Sequence, residues 1–284
     1  NERDAGDVIK HILVPTDGSP AAEVGVRFAA AVATRYAATV RGLHVVDVKL
    51  LEGPFLRDIS ASLGTAPYVN YQGNIAMILE ERGKAALESV SRICANHGVE
   101  CRTELVTGLV VGSIVEQGEL ADLIILGRSG EHSEWLDGLV GSTTGGVVRR
   151  ATRPVLVTGR ETPGHDLFVA AYDGSGYSRA ALRVAAEVTR DWGAALTVLV
   201  VGEGERAEGW AQEAVTYLEP YQLTLHSEVR KGDPSETIVA FAEESRADML
   251  IMGAYGHTKV RRLVVGSTTA YAMNNSPCPL LLTR

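Results

Sequence analysis

A chain of 284 residues, 45% apolar and 22% charged, is comfortable for two domains of about 140 residues and is not built like a disordered or fibrous protein. Its formal net charge of −8 argues against general affinity for nucleic acid, since an acidic surface repels the phosphate backbone. Apolar runs such as residues 194–201 are too short to cross a bilayer, the polar start carries no export signal, and Cys94, Cys101 and Cys278 have neither metal-type nor disulfide spacing, so a cytoplasmic protein with no membrane contact is expected.

In chain order, the first half predicts strands at 12–15, 39–46, 100–107, 123–127 and 154–158, with helices between them, notably at 21–38 and 74–97. Strands at 167–172, 195–201, 224–230, 249–253 and 279–283 follow in the second half. The chain repeats itself. His11 to Ser19 is echoed by Leu167 to Ser175, Ala121 to Gly127 by Ala247 to Gly253, Gly141-Ser142-Thr143-Thr144 by Gly266-Ser267-Thr268-Thr269, and Arg153 to Thr158 by Cys278 to Thr283. Asp17 and Asp173 lie 156 positions apart while Gly127 and Gly253 lie 126 apart, so the first half carries about 30 extra residues, placed near 47–73. That stretch reads as a surface loop, with a lid or an interface arm as the functional alternative.

Alternation of strand and helix predicts a parallel sheet with helices on both faces, and in such folds ligands bind beyond the carboxyl ends of the strands where strand order reverses. After the fourth strand of the second half come Gly253-Ala254-Tyr255-Gly256, nine residues, and Gly266-Ser267-Thr268. Glycines there let main-chain N–H groups approach an anion, and Ser267 or Thr268 would open a helix whose unpaired N–H groups and dipole favour negative charge. Anion stabilisation at one helix end is worth only about 0.3–2 kcal/mol, so several donors must converge. The bland alternative is that the glycines make tight connections and Ser267 caps a helix.

This glycine pattern resembles the ATP-binding signature of the universal stress proteins, and the resemblance covers nearly the whole chain twice. It implies an α/β fold of two tandem Rossmann-like (adenine nucleotide alpha hydrolase-like) domains, each a five-stranded parallel sheet flanked by helices, at residues 8–159 and 165–284. By the same resemblance, ATP with Mg2+ would meet Ala171, Tyr172 and Asp173 on its adenine and ribose side and the main chain at Val200 and Val201 beside the base. Met252 and Gly253 would lie under the ribose, and Gly256, His257, Gly266, Ser267, Thr268 and Thr269 near the phosphates. Matching places in the first half are Pro15, Thr16, Asp17, Val46, Leu126, Gly127, Gly130, Gly141, Ser142 and Thr143. There ten residues, not nine, separate Gly130 from Gly141, and Trp135 and Asp137 fall among them, which could shift the phosphate-side donors or be absorbed by the loop. Gly108-Leu109-Val110 also lacks the proline of Gly232-Asp233-Pro234.

The role implied is nucleotide-responsive regulation through a protein partner, with a slow ATPase or phosphotransferase, or a scaffold with one live site, as alternatives. No Gly-Lys-Ser/Thr tripeptide occurs, and Gly174-Ser175-Gly176 is followed by Arg179 where a dinucleotide fingerprint needs glycine. His132 and His257 read as solvent-facing loop residues, with phosphate contact or an acid/base role as the alternative. Cys94 and His97 read as packing and surface residues without a third orienting group, and no histidine or carboxylate cluster suggests a metal site. Arg149, Arg150, Arg153, Lys259, Arg261 and Arg262 read as solvated charges, with an anionic ligand or partner as the alternative. The resemblance also implies that the two fifth strands meet, making an intramolecular pseudo-dimer, and a homodimer of the whole chain is a further expectation.

Overall fold

The computed structural model describes residues 9–52, 68–128, 140–159, 164–254 and 266–284, and the statements below concern those residues. The first half contains β1 (His11–Pro15), α1 (Pro20–Tyr36), β2 (Thr39–Asp47), α2 (Val48–Glu52), α3 (Tyr68–Asn96), β3 (Cys101–Gly108), α4 (Val110–Gly118), β4 (Leu123–Leu126), α5 (Ser142–Arg150) and β5 (Val155–Val157). The second contains β6 (Leu167–Ala171), α6 (Gly176–Trp192), β7 (Ala195–Val201), α7 (Gly204–Leu218), β8 (Thr224–Arg230), α8 (Pro234–Glu244), β9 (Met249–Gly253), α9 (Ser267–Asn275) and β10 (Leu280–Thr283).

Each half is a five-stranded parallel sheet, ordered β3-β2-β1-β4-β5 and β8-β7-β6-β9-β10. The fifth strands pair antiparallel, Val155, Leu156 and Val157 against Leu282, Leu281 and Leu280, and so fuse the halves into one ten-stranded sheet. Alternation along each strand then divides the apolar side chains between two cores. One core takes Phe28 of α1, Val90 of α3, Leu182 of α6 and Leu218 of α7; the other takes Ile114 of α4, Val147 of α5, Ile238 of α8 and Ala272 of α9. Both run across the seam, Leu156 and Leu281 joining the first, Val155, Val157, Leu280 and Leu282 the second.

Local chemistry sets the helix starts. Ser19 and Ser175 cap α1 and α6, their hydroxyls accepting from Ala22 N and Ser178 N at 3.2 Å, and Asp233 caps α8 by accepting from Ser235 N and Glu236 N at 2.9 and 3.3 Å. α6 stops where Gly193 turns left-handed, at φ 67°. Helix α3 starts at Tyr68, earlier than the expected residue 74, because Gly73 does not break it: a Cβ there would touch nothing within 4 Å, so the glycine sits on an open helix surface and costs only about 1 kcal/mol relative to alanine. Of the expected insertion near 47–73, residues 53–67 lie outside the described residues.

A repeated aspartate ties the base of each half. Asp122 Oδ2 accepts from Lys10 N and His11 N, both at 2.9 Å, and Asp248 Oδ2 accepts from Asp166 N and Leu167 N at 2.7 and 3.0 Å. Each carboxylate thus satisfies the first main-chain donors of β1 or β6 from the start of its neighbour β4 or β9. Near the seam, α1, α6 and the strands line a mostly apolar pocket of about 170 Å³ that is open to solvent, with Phe28, Tyr36, Trp192 and Leu281 among its residues. Among the described residues no helix is long and apolar enough to cross a membrane.

At the opposite strand ends the helices come very close. A Cβ on Gly253 would stand 2.8 Å from the Tyr177 carbonyl carbon, and one on Gly127 would stand 2.6 Å from Ala21 O. Gly253→Ala therefore forces α6 and β9 apart and is expected to destabilise the protein by about 1–3 kcal/mol. Urea denaturation checks this, and an unchanged midpoint would contradict the close approach.

Candidate functional site

Strand order reverses between β1 and β4 in one half and between β6 and β9 in the other, which opens a crevice beyond the carboxyl ends of those strands. Because β5 and β10 run antiparallel, the two crevices lie at opposite edges of the sheet. The turn leaving the first strand of each half is built alike. Thr16 N donates to Leu43 O at 2.8 Å and Tyr172 N to Leu199 O at 2.9 Å, extending the ladder by one residue. Gly18 and Gly174 then take the left-handed backbone, at φ 81° and 72°. Asp17 Oδ1 accepts from Ser19 N at 2.9 Å and Asp173 Oδ1 from Ser175 N at 3.0 Å, which aims each carboxyl group before the helix starts.

Side-chain alternation decides which groups face which layer. Ala171 belongs to the core under α8 and α9, whereas Tyr172 points into the core under α6 and α7. There its hydroxyl donates to Glu213 Oε1 at 2.5 Å, and Arg179 Nε donates to the same oxygen at 2.8 Å. Burial first, and the bond to Glu213 second, push the Tyr172 hydroxyl up to about 12, while Arg179 and then Tyr172 hold the Glu213 carboxyl below its ordinary value. At the crevice Tyr172 offers its main chain. Pro15 shares the parity of Ala171, while Thr16 is buried one position on.

Leu126 and Met252 are buried in the α5 and α9 core, directly before Gly127 and Gly253. Val201 lies against that same core and Val200 against the opposite one. Strand register pairs Pro15 with Leu43 and Ala171 with Leu199, so the first-half counterpart of Val201 is Val45, one residue before the expected Val46. The repeat offset of 156 positions between Asp17 and Asp173 already relates Val45 to Val201, and the expected Val46 departs from it by one residue.

The phosphate-side expectations fall on two matching helix starts. Gly141 has φ −57° and ψ 147°, Gly266 has φ −56° and ψ 148°, and neither α5 nor α9 has a side-chain cap. Ser142 and Ser267 are exposed, Thr143 and Thr268 half-buried. The next residue is a tie to the strand end: Thr144 Oγ1 donates to Gly127 O at 2.8 Å and Thr269 Oγ1 to Gly253 O at 3.3 Å. Thr269 is therefore buried with its hydroxyl directed at the main chain. The extra residue before Gly141 does not distort the start of α5, since both the cap dihedrals and the threonine tie match those of α9. Gly141 N also donates to Arg128 O at 3.0 Å, closing the ends of the intervening segment.

Gly130, Gly256 and His257 lie outside the described residues, as do His132, Trp135, Asp137, Lys259, Arg261 and Arg262. Among the described residues no group of three or more His, Cys, Asp or Glu side chains could hold a metal ion. The halves differ on the α1 and α6 side of the first turn. A cavity of about 310 Å³ is lined there by Thr16, Asp17, Arg82 and Ser89 among others. In the second half Trp210 covers the turn, its Nε1 only 2.2 Å from where a Gly174 Cβ would be, with the Arg206 guanidinium 4.5 Å above the indole ring.

The sequence profile of the universal stress protein family matches residues 9–159 and again 166–284. A universal stress protein of Synechocystis is 27% identical over 287 residues, covering 97% of this chain and all of that protein. One from Archaeoglobus fulgidus, solved by crystallography, superposes with a TM-score of 0.78 over 96% of this chain and 98% of its own, at 22% identity. A universal stress protein from Arabidopsis thaliana was solved with AMP bound; it covers 42% of this chain and 90% of its own, at 14% identity and a TM-score of 0.34.

The Tyr172 hydroxyl supplies a test of the second turn. Its raised value means that the folded state holds the proton more tightly than the unfolded chain, so the stabilisation is complete below pH about 10 and disappears as pH rises to about 12. Wild type is expected to lose its stability advantage over Tyr172→Phe across that window, measured as paired urea midpoints. A constant difference would contradict the buried hydrogen bond.

Proposed function

The chain belongs to the universal stress protein family along both halves, and on that footing we propose that it binds an adenine nucleotide, ATP with Mg2+, at the two strand-end crevices and works as a nucleotide-responsive regulatory protein. One observation carries the reading. At each reversal of strand order a helix starts on glycine without a side-chain cap, and the two starts share the same backbone and the same threonine tie. Such starts present main-chain N–H groups whose partial positive charge suits a phosphate group.

In the second half the phosphates are assigned to Gly266, Ser267 and Thr268, together with Gly256 and His257. Met252 and Gly253 lie under the ribose. Ala171, the main chain of Tyr172, Asp173 and the strand end at Val200 and Val201 form the base side. In the first half the phosphates are assigned to Gly141, Ser142 and Thr143, together with Gly130. Leu126 and Gly127, together with Pro15, Thr16, Asp17 and the strand end at Val45 and Val46, complete that site. A Mg2+ ion would arrive with the nucleotide and offset part of its phosphate charge. Occupancy changes the surface at the crevices, which a protein partner can read. A cytoplasmic setting, where adenine nucleotide is abundant, fits this role.

Two measurements test the reading. Denaturing the purified protein and analysing the released small molecules by mass spectrometry is expected to recover adenine nucleotide. Calorimetric titration of ATP with Mg2+ should then show that Gly266→Asp, which sets a carboxylate against the triphosphate, weakens the second-half site at least about tenfold. No released nucleotide and no heat of binding in wild type would overturn the proposal.

A further inference from the structure

The segment joining β4 to α5 is fastened at both ends to the other half of the molecule. Arg128, directly after Gly127, reaches over the seam, and its Nη2 donates to Ser276 O at 2.7 Å. Val140, directly before Gly141, donates its main-chain N–H to Asn274 Oδ1 at 2.7 Å. The other end of the Asn274 amide is used as well, Nδ2 donating to Ala270 O at 2.9 Å, so the side chain has one orientation that satisfies both bonds. With Gly141 N donating to Arg128 O at 3.0 Å, these contacts fix the backbone that delivers Ser142 to the first-half crevice.

Both cross-half acceptors depend on α9. Asn274 stands in its last turn and Ser276 just beyond it, while its first turn begins at Ser267, in the second-half crevice. Along the helix the two ends are about 10 Å apart. A rigid helix of nine residues therefore carries a phosphate-side group of one site at its start and the support of the other site at its end. The repeat places Ala254 where the first half has Arg128, and Arg149 where the second half has Asn274. Alanine has no donor to send across at that position, and the reverse crossing is made instead by Arg284, whose Nη2 donates to Arg149 O in the last turn of α5.

We propose that Asn274 is a positioning residue for the first-half nucleotide site, and that through α9 the two halves bind adenine nucleotide cooperatively. This rests on the reading of the helix starts as phosphate-binding. A nucleotide held at the start of α9 steadies the helix, which keeps the Asn274 amide on Val140 N and preserves the backbone before Gly141. By linkage, nucleotide in the first half tightens the second to the same degree. Asn274 adds no charge to the first site, and its two hydrogen bonds go to main-chain atoms, Val140 N and Ala270 O.

The experiment is calorimetric titration of the full chain with ATP and Mg2+, comparing first-half affinity with the second half intact and with it silenced by Gly266→Asp. In wild type, silencing is expected to weaken the first half by about fivefold or more. Asn274→Leu keeps the side-chain volume and lacks the acceptor; it should weaken the first half by about fivefold and remove its dependence on the second. Asn274→Asp keeps the acceptor and should keep that dependence, a rescue that separates positioning from packing. Arg128→Ala should act in the same direction as Asn274→Leu. Independent sites in wild type, binding confined to one half, or a dependence that survives in Asn274→Leu would each overturn the proposal. The first two outcomes leave nucleotide binding itself standing, whereas absence of all binding in wild type removes the reading on which the proposal rests.

Discussion

Three residues of β5 lying antiparallel to three of β10 determine what the rest of the molecule can be. Either half alone would end in a short apolar strand with an unpaired main-chain edge, a template for association with other chains. Pairing Val155, Leu156 and Val157 with Leu282, Leu281 and Leu280 removes both edges at once and makes each core continuous across the seam. Antiparallel direction is what sends the two crevices to opposite edges of one sheet. It also brings the tail of α9 and the loop after it against the first half, where Asn274 and Ser276 meet Val140 and Arg128.

Within each half the strand end and the following helix are held together by a small set of groups. Glycine at the end of β4 or β9 admits the first turn of α1 or α6 at a separation no side chain would allow. A buried threonine three residues after the helix-capping glycine then returns to the carbonyl of that strand-end glycine. The strand-end glycines thus have a packing role, and the serines that follow the capping glycines are exposed. Packing thus falls to the glycine and the threonine of the motif, which is why a motif of this kind can survive as a structural unit whatever occupies it.

Much of the architecture was legible because it is written twice. Repeated strand ends located the β1 and β6 turns, and βαβ alternation required parallel sheets. What was not legible depended on contacts between residues far apart in the chain. Asp122 and Asp248 read as ordinary members of a repeat, yet each caps main-chain donors of a strand more than 80 positions earlier. Tyr172 read as a base-side residue, and alternation turned its ring to Glu213 on the other face. Val45, the place equivalent to Val201, was by contrast within reach of the sequence, since the 156-residue repeat offset gives it just as the register does. Asn274 and Arg128 carried no signal at all, since their significance exists only once the seam has formed.

Main-chain hydrogen exchange at the two helix starts addresses the central claim most directly, because the proposed ligand contacts are N–H groups. Addition of ATP with Mg2+ is predicted to slow exchange over residues 141–144 and 266–269 while leaving the middle of α3 and α7 unaltered. Unchanged exchange at both helix starts under saturating nucleotide would contradict the account.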